Sequence, residues 1–326
     1  MIVDTHSHVI VPEMLTDRVP ERWRPSLSRA DGRALVTFRG TPVRSITREF
    51  CDVTAMLDQA AAQGVDHLLL SPWIMLIPVD AAPDEALRVC RVQNEGLARA
   101  AQDARVSALA ALPLQDAALA ARELEQVMQV PGIKGAEIPS SVGGTYLGDP
   151  AFSPFWAAAE ATGALIFIHP TTRGLGIPAL DQHYLWNSVG NPLETTITAA
   201  HLAATGVLER HPGLKILLAH GGGALPALRG RLRRAHAVRA EARSGAPGGP
   251  GESLRRLWFD SLTHDAGVLA GLVAWAGADR VVLGSDRPFD MGADDPVAGV
   301  RDLRLGTDEE LILGGNAARL LGLPDG

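Results

Sequence analysis

Apolar positions in this chain gather into eight short runs, most of them opening after a glycine or a polar turn. They are MIVDTHSH from Met1, GVDHLLLSP from Gly64, VSALAALPL from Val106, GIKGAEIPS from Gly132, GALIFIHP from Gly163, LKILLAHGG from Leu214, LWFDSLTH from Leu257 and RVVLGSDRP from Arg280. Runs this short and this uniformly apolar suit strands buried on both faces of a parallel sheet. Between them lie Ala/Leu/Glu/Arg segments with helical spacing, such as EALRVCRVQNEGLARAAQDA from Glu85 and PLETTITAAHLAATGVLERH from Pro192. Eight strand–helix alternations predict an α/β fold, a (β/α)8 TIM barrel. An open doubly wound sheet is the rival, but no G-x-G-x-x-G loop follows the first run.

Two segments depart from a minimal barrel. The stretch from Val9 to Phe50 makes a long first connection, and loops beyond about 15 residues usually bind or cover something, so it is expected to act as a lid. The segment RSGAPGGPGES from Arg243 is flexible by composition. It is no domain boundary, because two strands are still to come, and residues 1–326 read as one barrel domain.

Composition narrows the function classes. At 326 residues and 46% hydrophobic, the chain can bury a core without disulfides or a structural metal. Thirty basic residues against 37 acidic ones leave a net charge of −7, which argues against a nucleic-acid binder. Cys51 and Cys90 form no disulfide framework and are too few for a cysteine metal site. No apolar run reaches the ~20 residues that cross a bilayer, and Asp4, His6 and His8 interrupt any signal-peptide core. A cytoplasmic protein with no membrane partner is the expectation.

The chemistry sits at strand ends. In Asp4-Thr5-His6-Ser7-His8, strand alternation sends Asp4, His6 and His8 to one face, into the barrel. Two inward histidines at i and i+2 form a chelating pair, although hydrogen-bonded core histidines would share the spacing. His169 ends the fifth run, His220 the sixth and Asp286 the eighth. Barrel enzymes draw their reactive groups from these carboxyl-terminal strand ends. Buried His and Asp need partners, and a shared cation supplies one to all of them. His67, His183, His201, His211 and His236 fall elsewhere, and His264 follows the seventh run as a neighbour of the site at most. Gly221-Gly222-Gly223 permits a sharp turn close to substrate, without the Lys-Ser/Thr of a phosphate loop.

Taken in order, D-T-H-S-H, I-H-P, A-H-G-G-G and G-S-D-x-P-F resemble the amidohydrolase superfamily, and within it the aminocarboxymuconate-semialdehyde decarboxylase family, from Met1 to the GGNAARLLGL of the last helix. The resemblance implies one divalent metal ion per chain, zinc first with Mn2+ or Fe2+ as alternatives, held by His6, His8, His169 and Asp286. It makes His220 the acid/base beside the metal-bound water, with Asp286 also catalytic. Lysines that bridge two metals in binuclear relatives stand at strand ends, whereas Lys134 and Lys215 stand near strand starts; Glu137 is the only bridge left, and one metal is expected. Arg44, or Arg48 if the loop register differs, resembles a loop arginine that contacts a substrate carboxylate. Arg231 resembles one contributed across a homodimer interface, while Arg287 points off the ligand face. No lysine occurs in the first loop, where that family can place a substrate contact. The implied activity is a metal-dependent non-oxidative decarboxylase of a small unsaturated or aromatic carboxylic acid. The alternative is a hydrolase or hydratase of a lactone, ester, amide or enol acid at the same site.

Overall fold

The computed structural model describes residues 1–30, 33–43 and 50–324. All eight expected runs form strands: β1 (Val3–Val9), β2 (His67–Pro72), β3 (Val106–Ala111), β4 (Ile133–Pro139), β5 (Leu165–His169), β6 (Lys215–Leu218), β7 (Trp258–Asp260) and β8 (Val281–Val282). They make one parallel sheet in chain order. The seam between β8 and β1 closes through backbone bonds from Thr5 to Leu283 (2.9 Å), His8 to Arg287 (2.8 Å) and Asp286 to His6 (2.8 Å). The result is a (β/α)8 barrel. Val3, Leu69, Leu109, Leu165, Phe167, Leu217 and Val282 fill its interior, stoppered by Leu320 and Leu321 of the final helix. The opposite faces of the strands meet the surrounding helices in a larger core. No helix among the described residues is long and apolar enough to cross a membrane.

Three sequence expectations need revision. The first connection is structured: its described part holds two single-turn helices, Pro12–Leu15 and Glu21–Trp23, and an antiparallel sheet of Ser26–Ala30, Arg33–Phe38 and Thr41–Val43. The helical run from Pro192 breaks after Ala204, where Gly206 takes φ +75°, before a short turn at Val207–Arg210. The glycine-rich segment from Arg243 stays mostly exposed, with the buried Ala246 carbonyl 2.9 Å from His236 Nε2.

Asp4 is the third revision. The register between β1 and β2 shifts between Asp4 and Ser7, and an extra residue in one strand resets which face the following side chains take. Val3 lies inside the barrel and His6 also meets Phe167 there, although the two are three positions apart. Asp4 therefore faces away from His6 and His8. Its buried carboxylate accepts from the Ser285 hydroxyl and from Arg287 Nε at 2.9 Å. Arg287 is itself 6% exposed and reaches Gln63 at 3.0 Å. This pair locks the seam between the last strand and the first. Asp4→Ala leaves a buried guanidinium without its counter-ion and should cost about 3–5 kcal/mol of stability. Denaturant unfolding measures it, and a loss under about 1 kcal/mol would mean the seam does not depend on the pair.

Candidate metal centre

At the carboxyl-terminal mouth of the barrel the side chains of β1 and β5 converge with those of the segments after β6 and β8. His6 Nε2 lies 3.1 Å from His8 Nε2, and Asp286 Oδ1 stands 3.3 and 3.2 Å from those two nitrogens. The His169 ring centre is 4.8 Å from that of His8 and 5.4 Å from that of His6. His220 Nε2 approaches the other Asp286 oxygen at 3.5 Å. One donor atom from each of His6, His169, His220 and Asp286 falls within 4.8 Å of the others.

What turns the rings this way is visible at their far edges. His6 Nδ1 sits 2.7 Å from Asp260 Oδ2, His8 Nδ1 lies 3.2 Å from the Pro72 carbonyl, and His169 Nδ1 lies 3.1 Å from the Pro170 carbonyl. Each Nδ1–H donates outward, so each Nε2 keeps its lone pair for the centre. His169 Nε2 is buried without a hydrogen-bond partner, and Asp286 Oδ1 has near it ring nitrogens with which it makes no proper hydrogen bond. Buried polar atoms left so are costly unless something takes them. Three imidazoles and a carboxylate are the donor set of a divalent transition metal, and the residues fit one.

The backbone is bent to deliver two of these groups. His220 and Asp286 hold φ of +56° and +60°, left-handed values that cost a side-chain-bearing residue about 1–3 kcal/mol. After His220 the three glycines continue at +60°, +75° and +63°. A Cβ on Gly223 would fall 2.0 Å from the Pro192 carbonyl oxygen, which leaves glycine as the residue that fits.

Asp260, at the end of β7, escaped the sequence reading. Besides turning His6, its carboxylate accepts from the backbone N–H groups of His220 (2.9 Å), Gly221 (2.7 Å) and Leu262 (3.2 Å). Its position as the last residue of a strand was the available signal, the one that singled out His169. Glu137 is buried behind the cluster, 3.8 Å from His8 Nδ1 and 4.0 Å from His169 Nδ1. That is the edge of each ring opposite the converging nitrogens, and His8, Glu137 and His169 also bring one donor atom each within 4.8 Å of one another. His264 is exposed and lines a separate cavity beside Asp265 and Asp295. Arg44 and Arg48 lie outside the described residues. Arg231 is exposed on the helix Leu225–Val238 and is not part of its own chain's cavity lining.

Above the centre opens a cavity of about 720 Å³ whose lining includes His169, His220 and Asp286. Its walls are aromatic, from Phe38, Trp73, Trp186 and Phe289, and Phe38 to Val43 bring the first connection over it. The volume suits a small organic ligand.

Charges in the cluster are strongly coupled. Burial works against a proton on His6, but the carboxylates of Asp286 and Asp260 outweigh it and hold the imidazole up at about 10. Burial and the neighbouring His8, His220 and His6 push His169 well below its ordinary value. Burial would raise Asp286, yet the surrounding histidines hold it well below the usual carboxylate range. Burial lifts Glu137 to about 7 against the pull of His8. A cation must displace the extra His6 proton. Between pH 8 and 9, above Glu137 and below His6, chelator-treated protein should release about one proton per ion bound, and apparent affinity should rise with pH. Metal titration in weakly buffered indicator solution measures this; no proton release would mean His6 is neutral in the chelated protein.

The amidohydrolase family model matches residues 3–323. The chain is 30% identical over 339 residues to 2-amino-3-carboxymuconate-6-semialdehyde decarboxylase of Dictyostelium discoideum, covering 98% of this chain and 91% of that protein. The crystal structure of 5-carboxyvanillate decarboxylase LigW from Sphingomonas paucimobilis superposes with a TM-score of 0.81 at 26% identity, over 99% of both chains. The dihydroxybenzoic acid decarboxylase of Polaromonas sp. JS666, whose structure holds manganese and 2-nitroresorcinol, shares the fold at TM-score 0.81 and 22% identity, over 100% of this chain and 98% of that one.

Proposed function

The chain belongs to the amidohydrolase family, and from that premise we propose that it is a metal-dependent, non-oxidative decarboxylase of small aromatic or unsaturated carboxylic acids. The observation that carries this reading is the convergence of three imidazole nitrogens and one carboxylate at the floor of an aromatic-walled cavity. His6, His8, His169 and Asp286 are the proposed ligands of one ion per chain. Zinc is the proposed ion on the strength of that donor set, and a homodimer in the cytoplasm the proposed setting.

When bound, the ion supplies a Lewis acid that draws electron density from the reacting acid. The chain's own groups do the rest. Phe38, Trp73, Trp186 and Phe289 flank a planar ring and exclude water from it. The bond from ring carbon to carboxylate breaks, its electron pair stays on that carbon, and CO2 leaves. His220 then delivers the proton that takes the carboxylate's place. It lines the cavity, faces Asp286 through Nε2 and keeps Nδ1 without a hydrogen-bond partner. Asp286, whose carboxyl the surrounding histidines hold well below the usual carboxylate range, lies 3.5 Å from His220 Nε2 and orients that ring. The first connection serves as the lid, with Arg44 as its proposed carboxylate contact.

His220→Asn should keep one ion per chain and lower turnover by roughly 10²–10⁴-fold, the contribution of a positioned acid/base. Elemental analysis beside a CO2-release assay on carboxylated aromatic and muconate-type acids tests this. Metal lost in step with activity would make His220 a ligand, and net water addition without CO2 would make the enzyme a hydratase or hydrolase.

Arg231 is proposed to reach the partner subunit's site, which the exposed position of its helix leaves open to it. Inactive His220→Ala and Arg231→Ala proteins, mixed so that subunits exchange, should recover about a quarter of the sites as intact ones in mixed dimers. No recovery with exchange confirmed places Arg231 in its own chain's chemistry or outside it.

A further inference from the structure

Two arginines line the cavity among the described residues, Arg39 and Arg173, both with exposed side chains, and they differ in what holds their guanidinium groups. Arg39 Nη2 lies 3.1 and 3.2 Å from the two carboxylate oxygens of Asp80, and its guanidinium rests 4.1 Å from the centre of the Trp23 ring. Arg39 is already engaged. The carboxylate near Arg173 is that of exposed Asp181, at 3.7 Å, beyond hydrogen-bond range. Its guanidinium carbon lies over Trp186, another cavity wall, 4.9 Å from the ring centre. Such a cation–π contact restrains the group while leaving N–H donors for a planar anion.

The backbone beneath Arg173 is built to hold it there. Thr172 and Arg173 both line the cavity and both take φ of +62°. Left-handed geometry is unfavourable for a residue with a side chain, and two in succession persist only where the surroundings over-determine them. Here Glu194, 1% exposed on the helix Asn191–Ala204, supplies that constraint. Its carboxylate accepts from Thr171 N at 2.6 Å, Gly174 N at 2.7 Å and Ser140 Oγ at 2.8 Å, pinning the loop on both sides of the two strained residues. A buried carboxylate satisfied by three donors is an expensive anchor for a loop that only spans a gap.

We infer that Arg173 is a specificity-determining residue that receives a second carboxylate of the substrate, remote from the one that is lost, and that Glu194 is the positioning residue that holds it there. The substrate class is then an aromatic dicarboxylic acid rather than a simple monoacid. This rests on the decarboxylase reading of the cavity floor, but its test does not use turnover.

The experiment is calorimetric titration of the metal-loaded protein with benzoate, benzene-1,3-dicarboxylate and benzene-1,4-dicarboxylate. One of the diacids should bind about tenfold tighter than benzoate, the return on one charge-assisted pair. Arg173→Gln should bring that advantage to within about twofold while leaving benzoate unchanged, and Arg173→Lys should keep part of it. Glu194→Gln should erode the advantage in the same direction, again without touching benzoate. A diacid advantage that survives Arg173→Gln overturns the assignment, as does a wild-type protein that shows none. If benzoate itself fails to bind the loaded protein while the fold is intact, the carboxylic-acid reading of the floor falls, and this inference with it.

Discussion

Outward hydrogen bonding of three imidazoles is the constraint on which this site rests. Each Nδ1 is committed to an acceptor behind it, a carboxylate for His6 and a backbone carbonyl for His8 and His169. Each Nε2 is thereby presented to a buried common point where Asp286 brings a negative charge. A neutral ring has one N–H to give, so fixing it on the outer edge settles the inner edge as an acceptor. The same atoms facing one another without an ion or a proton among them would be strongly unfavourable.

Asp260 links that constraint to the reactive group. One carboxylate orients His6 and accepts the N–H groups of His220 and Gly221. The ring that faces the proposed ion and the turn that carries the proposed proton donor therefore share an anchor. The left-handed backbone at His220 and the glycines beyond it lets one short loop reach Asp260 and the cavity together. At the cavity mouth Glu194 plays a comparable part for Thr172 and Arg173. In both places a buried carboxylate holds a strained turn by its N–H groups.

Much of this was legible in the residues themselves. Eight apolar runs became eight strands because strands buried on both faces carry their signal in every position. His6, His8, His169 and Asp286 came together because strand ends of a closed barrel share one rim. Asp4 misled because simple alternation does not register an extra residue between Asp4 and Ser7. Asp260 was passed over because its importance lies in the N–H groups it accepts, and backbone partners leave no mark in composition. The antiparallel sheet of the first connection and the turn around Arg173 depend on contacts with distant segments. Short polar stretches do not announce those contacts.

The closing seam gives the site a place in the life of the polypeptide. The group contributed by β1 and the one that follows β8 lie about 280 residues apart in the sequence, and the Asp4–Arg287 pair beside them joins the same two regions. During synthesis His6 and His8 precede Asp286 by about 280 residues. A nascent product that stops short of Asp286 lacks the complete donor set. The site is therefore complete only with the eighth strand in place: a fragment truncated before it keeps its imidazoles but lacks the carboxylate and the seam that would draw them together.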